Sequence, residues 1–495
     1  MTGGITEDRK RWLALYVLCT GMLMIVLDIT VVNVALPSIQ DDLGFSQNDL
    51  SWVVNAYLIT FGGLLLLAGR LGDLIGRRTV FLSGLALFTA ASLLCGAANS
   101  SGMLIGARFI QGIGGAMSSA VILGMIATMF PEPREQAKAM GMFAFVASGG
   151  GTIGLLVGGV LTETINWHWI FLVNVPIAIA TAFLALRYIE RDEGIGISAG
   201  ADVPGAVLIT SSLMIGTYTI VKPAAEQGWG AGATVLFGAA SLALLVLFLV
   251  REATAKTPLI PLSIFKARNL TGANLVQVLA VPGMFGLFFL GSLYLERVLG
   301  YDPLQIGFAF LPATVLMGVL SARYTEPLST RFGAKRLVIA GLILIGAACA
   351  LFTRTTVEGD YVTELLPAMT VFGTGAGLAF PSLMTVAMSG VEMSEAGLAS
   401  GLVNTAAQVG GAIGLAVLAT VSASRSDDLI ASGTAEAQAL TEGYHLAFWI
   451  GVGLVAAAIA VAALVITNGR MPEAEAAEPE QRAPDAPEPA YSEAA

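Results

Sequence analysis

The chain of 495 residues is 56% hydrophobic and only 12% charged, with a mean hydropathy of +0.79. A soluble protein carries about twice that charged fraction, so a soluble fold is excluded and a polytopic membrane protein is implied. The net charge of −10 does not point to a basic partner, because from Met471 onward seven acids face Arg482 alone and supply six of the ten negative charges.

Windows of about 20 apolar residues suffice to cross a bilayer as helices. Fourteen are expected, near 12–36, 50–69, 79–98, 103–130, 139–162, 169–189, 203–221, 232–250, 270–294, 304–325, 335–353, 362–388, 396–422 and 444–467. The alternating ten-residue segments of a transmembrane β-barrel are absent. The first span, within Leu27-Asp-Ile-Thr-Val-Val-Asn-Val-Ala-Leu-Pro37, places Asp28 mid-membrane. A carboxylate there costs about 2.5–3.5 kcal/mol, so such a residue normally faces a cavity or a partner and often exchanges protons. The plainer reading is a packing acid bonded to a neighbouring helix. The run is long, carries Asp28 and ends in Pro37, so it is expected to stay as a helix and not to be cleaved as a signal peptide.

Between the second and third spans lies Gly69-Arg-Leu-Gly-Asp-Leu-Ile-Gly-Arg-Arg78. Gly69, Gly72 and Gly76 let two helix ends approach and turn sharply. Asp73 can accept hydrogen bonds from helix N-termini or from an arginine, and Arg77 and Arg78 sit where basic residues hold topology and latch onto acids. A generic basic, glycine-rich loop is the alternative. In the fourth span, Arg108-Phe-Ile-Gln-Gly-Ile-Gly-Gly-Ala116 carries a guanidinium that stays charged and needs a carboxylate, a carbonyl or water; the alternative is an arginine reaching out to the membrane edge. The fifth span presents Gly141, Gly150, Gly154, Gly158 and Gly159, a smooth face for close helix approach. After it comes Trp167-His-Trp-Ile-Phe-Leu-Val-Asn-Val-Pro176, with His168 read as an ordinary interfacial histidine.

Further along, Glu296 in Tyr294-Leu-Glu-Arg-Val-Leu-Gly-Tyr301 is expected to pair with Arg297, with cation collection as the other option, and Arg323 with Glu326. Cys19, Cys95 and Cys349 fall in different spans and define neither disulfides nor a metal cluster. The tail, 470–495, rich in Ala, Pro and Glu, is expected to be disordered. Two strings are decoys. Gly196-Ile-Ser-Ala-Gly200 has no preceding strand, and Gly149-Gly-Gly-Thr-Ile-Gly154 sits mid-span without a βαβ unit.

With the N-terminus inside and fourteen spans, nineteen basic residues fall on inside segments and four (Lys222, Arg297, Arg354, Arg425) outside, so both termini are expected in the cytoplasm. The chain also repeats itself weakly. Gly141, Gly150 and Gly154 recur at an offset of 260 as Gly401, Gly410 and Gly414, and Gly76-Arg77-Arg78 has an echo in Gly333-Ala334-Lys335-Arg336. This suggests a cytoplasmic segment 1–11, six-helix bundles at 12–190 and 270–467, and an inserted pair at 203–251 between them. Repeats meeting at a midplane site are how secondary transporters alternate access.

The hairpin 69–78, the Arg108 run and the glycine helix closely resemble signatures of the major facilitator superfamily. The run around Asp28 and the fourteen-span layout resemble its QacA/EmrB-like drug:proton antiporter branch. Leu155 departs from that pattern, which has a proline there, and His168 stands where arginine is usual. The resemblance implies an all-α major facilitator fold and a proton-coupled exporter of amphipathic, cationic drugs or dyes in the cytoplasmic membrane, without cofactor, metal or nucleic acid, and monomeric among membrane lipids. It implies proton handling by Asp28 and Arg108, gating by the hairpin, and a cavity lined by Met24, Asn33, Asn55, Tyr57, Gln111, Phe285, Phe289, Glu296, Asn404 and Gln408. Alternatives are export of one natural product or a lipid, and a non-transporting sensor or assembly partner. For a membrane enzyme the sequence offers no nucleophile, metal or cofactor site.

Overall fold

The computed structural model describes residues 3–467 apart from 131, 195, 197–199, 390 and 392–395. The acidic tail lies outside the described residues, as do the surroundings of Gly141. Fourteen long helices make up the fold: α1 (Gly3–Leu43), α2 (Trp52–Ile75), α3 (Arg77–Gly96), α4 (Ser101–Met129), α5 (Pro133–Thr164), α6 (Asn174–Tyr188), α7 (Val203–Thr219), α8 (Gly232–Thr254), α9 (Arg268–Arg297), α10 (Pro303–Val319), α11 (Ala334–Phe352), α12 (Leu366–Met388), α13 (Ala396–Ala431) and α14 (Glu436–Leu464). Among the described residues there is no strand. Among the described residues thirteen of these helices, all but α5, are long and apolar enough to cross a bilayer, and the chain is a multi-pass membrane protein.

Local chemistry sets the ends. Gly76 and Gly333 adopt φ of +94° and +88° at equivalent hairpins, α2–α3 and the turn before α11, a conformation that costs glycine little. Ser100 caps α4, and Asp302 with Gln305 forms a capping box on α10. The first helix does not stop at Pro37 but continues to Leu43, since proline forfeits a single donor while packing holds the remaining turns.

Six helices, α1–α6, pack as one group and six, α9–α14, as another. The pairings correspond: α1 lies on α5 as α9 lies on α13, and α3 on α4 as α11 on α12. The groups meet along two seams, α5 with α10 and α2 with α13. The inserted α7 and α8 pack on each other, and α7 leans on both α2 and α13, covering the second seam from outside. With an even number of crossings the chain begins and ends on one side, here called the termini face. At the opposite face the groups are tied together: Ser292 Oγ donates to the Asn33 carbonyl at 2.7 Å, and Arg297 pairs with Asp41.

Two expected pairs are corrected. Arg297 reaches across to Asp41 and Gln40, not to Glu296, because consecutive residues on a helix project in different directions. Arg323 and Glu326 are both exposed and form no ion pair among the described residues. A π turn at Leu320–Tyr324 interrupts the α-helical register that would have stacked them.

Candidate functional site

The charged centre of the first helix group is assembled from five helices, α1, α2, α3, α4 and α6. Asp28, on α1, has no exposed surface, and Arg108, on α4, is 1% exposed, so the arginine does not reach the membrane edge. Arg108 Nη1 donates to Asp28 Oδ2 at 2.6 Å. The other carboxylate oxygen, Oδ1, accepts from Gln111 Nε2 and from Asn174 Nδ2, both at 2.8 Å. Arg108 has further partners: its Nε donates to the Val53 carbonyl at 2.8 Å, and Nη1 to Gln111 Oε1 at 2.7 Å. Its guanidinium also lies 4.5 Å from the centre of the Tyr57 ring and 5.6 Å from that of Phe171, a cation–π cage. Gln111 Nε2 is shared with Ser92 Oγ at 2.9 Å. The i, i+3 spacing of Arg108 and Gln111 puts both on one face of α4. Ser92 and Asn174 were not selected from the sequence, since a neutral polar residue in an apolar helix carries no mark of what it bonds.

The 69–78 hairpin is tied to its own helix group and to the segment that leads to α7. Arg77 donates to the Gly124 carbonyl at 2.8 Å and to Asp73 at 3.1 Å, so Asp73 serves an arginine one turn away. Arg78 donates to the Leu186 carbonyl at 2.7 Å. The acid that holds the turn is Asp192, whose two oxygens accept the backbone N–H groups of Arg77 at 2.6 Å and Arg78 at 3.0 Å and so cap α3. A Cβ at Gly76 would stand 2.6 Å from the Asp192 carbonyl, and one at Gly72 2.5 Å from Val121. Gly69 is only loosely covered.

The glycine face of α5 is used against α1. Cβ atoms at Gly150, Gly154 and Gly158 would meet Leu23 at 3.1 Å, Thr30 Oγ1 at 1.9 Å and Val31 at 2.8 Å. Gly159 faces the other helix group, 2.8 Å from the Pro303 carbonyl by the same measure. In the second group, Gly410 and Gly414 likewise face α9, while Gly401 faces Leu66 across the seam. Leu155 is buried and α5 runs unbroken through it.

The cavity candidates separate. Met24, Asn55, Tyr57, Gln111 and Phe289 are fully buried, and Asn33 and Phe285 nearly so. Asn33 bonds back to the Ile29 carbonyl at 3.2 Å. Asn55 and the Tyr57 hydroxyl have no hydrogen-bond partner among the described residues, nor has Glu296 Oε2. Gln408 borders Gly62 on the α2–α13 seam. Asn404 is the exposed one of the set, bonded to the Ser400 carbonyl at 3.1 Å.

The family described as Major Facilitator Superfamily matches residues 18–415. The chain is 39% identical to the puromycin resistance protein pur8 of Streptomyces alboniger, over 92% of this chain and 91% of that one. It is 37% identical to the cephamycin export protein CmcT of Amycolatopsis lactamdurans, over 93% of each. Among solved structures, an auto-inhibited peptide transporter of the POT family shares the fold with a TM-score of 0.65 at 15% identity, covering 90% of this chain and 96% of that one.

Proposed function

The chain belongs to the Major Facilitator Superfamily, among its drug- and antibiotic-export transporters, and we propose that it expels amphipathic, antibiotic-like compounds in exchange for protons taken up at Asp28. The observation that carries this reading is the sealed ion pair. A charged pair in hydrocarbon is retained against a standing desolvation cost. Here the arginine keeps two neutral acceptors, the Val53 carbonyl and Gln111 Oε1, together with the Tyr57 face. Protonating Asp28 therefore removes its countercharge without stranding it. Asp28 can cycle between two forms, and Arg108 reports the change to α2 through Val53 and Tyr57.

The membrane is the cytoplasmic one, and the excess of basic residues on the termini face puts that face inside. Ties toward the opposite face between Asn33 and Ser292 and between Asp41 and Arg297 support reading this arrangement as inward-facing. Helices α4 and α12, equivalent in the two groups, are not packed on each other among the described residues, which fits an opening on the inside. Alternating access then requires breaking the outer ties while α5 and α13 roll on their glycine faces. The protein works as a monomer within lipid and makes or breaks no covalent bond.

Asp28 is matched one to one by Arg108 and enclosed, so in this state it serves the proton and not the charge of a cationic drug. One proton against one monovalent cation moves no net charge, leaving only the pH gradient, about 1.4 kcal/mol per unit. A neutral substrate also draws on the membrane potential, about 2.3 kcal/mol per 100 mV. That both relatives are named for a single antibiotic favours a second reading, a dedicated exporter of one natural product. Cells expressing the protein should hold less of a fluorescent dye or antibiotic, and a protonophore should restore accumulation. A broad panel of expelled compounds supports the first reading and a single one the second. Export that ignores the protonophore refutes proton coupling.

A further inference from the structure

The inserted helices carry a second acid site, at their termini-face end. Asp202 caps α7, its Oδ1 accepting the Gly205 N–H at 3.1 Å and the Arg251 Nε–H at 3.0 Å. Glu252, in the last turn of α8, accepts the Ile260 N–H on Oε2 at 2.8 Å. Each acid has a second oxygen, Asp202 Oδ2 and Glu252 Oε1, that is buried and has no hydrogen bond among the described residues. The side chains are 1% and 4% exposed. Both free oxygens converge on one space, because a Cβ at Gly205 would stand 2.6 Å from Asp202 Oδ2 and 3.1 Å from Glu252 Oε1. Glycine keeps that space open.

The charged groups around the pair do not fill it. Arg251, from α8, is 44% exposed and committed to the other Asp202 oxygen. Arg70, from α2, reaches the Gly200 carbonyl at 3.2 Å, and Lys256 in the loop after α8 is exposed. Helix α13, which also touches α7, has no charged residue before Arg425. We propose that Asp202 and Glu252 bind one proton between them, a proton site separate from Asp28. A shared proton makes one acid a donor and the other an acceptor, so a single hydrogen bond serves both oxygens. Without it, two buried acceptors stay unmet and two carboxylates repel.

The site lies beneath the attachment of the inserted pair to α2. Leu67 of α2 packs with Ala206, Phe248 and Leu259, and Arg70 of the hairpin holds the backbone two residues before Asp202. Proton occupancy therefore sets how firmly the inserted pair grips the helix that carries the gating hairpin. On this account α7 and α8 read the proton concentration at the termini face.

Hydrogen–deuterium exchange of the full-length protein in nanodiscs tests this, read on peptides covering 200–210 and 250–262 and corrected for intrinsic rates. One linked proton changes an opening equilibrium by up to about tenfold per pH unit, so wild-type protection should fall by up to about a hundredfold between about pH 6 and about pH 8. Glu252→Gln, whose amide donates to Asp202 at any pH, should stay protected throughout. Asp28→Asn should respond like the wild type, which separates this site from the exchange reaction proposed above. Wild-type protection that ignores pH, or Glu252→Gln tracking the wild type, overturns the proposal. So does protection restored at high pH by sodium but not choline, which assigns the space to a metal cation. If Glu252→Gln fails to fold, infrared difference spectra in the Asp28→Asn background decide. A protonated-carboxyl band that titrates and disappears in Asp202→Asn supports the site, and its absence refutes it.

Discussion

Asparagine at position 28 preserves the shape of the side chain and deletes its charge, which isolates the proton from the packing. Removing one partner of a buried ion pair costs about 3–5 kcal/mol. Arg108 keeps the Val53 carbonyl, Gln111 Oε1 and the Tyr57 face, so the low end, about 3 kcal/mol, is expected in a detergent melt. Transport gives the sharper readout. With one proton per cycle, each pH unit supplies about 1.4 kcal/mol, a tenfold accumulation ratio. In proteoliposomes with an imposed pH gradient the wild type should approach that ratio, and Asp28→Asn should show none. Substrate-for-substrate exchange without a gradient should survive in the variant, because a neutral residue at 28 resembles the protonated carrier. An Asp28→Asn protein that still accumulates substrate about tenfold per pH unit would place the coupling proton elsewhere and refute the argument. Combining Asp28→Asn with Arg108→Gln should recover about 0.5–3 kcal/mol relative to the sum of the single changes, since neither charge is then left alone.

Gly154→Ala puts a methyl group 1.9 Å from Thr30 Oγ1; overpacking of this kind costs about 1–3 kcal/mol, and the transport rate should fall. Gly106→Ala, with nothing within 4 Å, should be silent in the same assays. Arg297→Ala cuts a partly exposed tie to Asp41, worth about 0.2–1 kcal/mol, so spin labels across the opposite face should show outward-open states enriched by no more than about fivefold. Asp192→Ala uncaps α3 and should lower stability by about 0.5–2 kcal/mol in a thermal melt, with Asp192→Asn closer to wild type.

What the sequence made legible follows from how much each feature costs. Fourteen apolar windows and a charge in hydrocarbon are expensive and leave few alternatives, so the helices, Asp28 and Arg108 stood out as candidates. The acid at 192 did not, because its partners Arg77 and Arg78 lie more than a hundred residues away and a solvated loop tolerates an acid anywhere. Asn174 and Ser92 escaped for the opposite reason, since a single amide or hydroxyl in a membrane helix is cheap. The pairing of Glu296 with Arg297 failed on geometry: adjacency in the chain is separation on a helix. The buried pair Asp202 and Glu252 was hidden by a distance of fifty residues and by a glycine whose only role is to be small.

The two helix groups are related in packing but not in charge, and that difference bears on stoichiometry. In the first group Gly150 and Gly154 face Val26 and Thr30 of α1; in the second, Gly410 and Gly414 face Val278 and Pro282 of α9. The correspondence carries Asp28 onto Ala280. Aligning Gly112 with Gly373 on α4 and α12 carries Arg108 onto Met369. Ala280 and Met369 are both buried. The place that holds an ion pair in one half is therefore apolar in the other. On the proposed assignment of Asp28 as the coupling acid, a rolling motion shared by both halves moves one titratable pair at the membrane's centre, and the second group carries no counterpart of it at the equivalent places. Introducing an acid by Ala280→Asp should not add a second transported proton unless Met369→Arg accompanies it, because a lone carboxylate there would have no partner and would stay protonated throughout the cycle. A change in proton-to-substrate ratio from Ala280→Asp alone would show that the partner is dispensable and that the Asp28–Arg108 pairing is not what makes the site work.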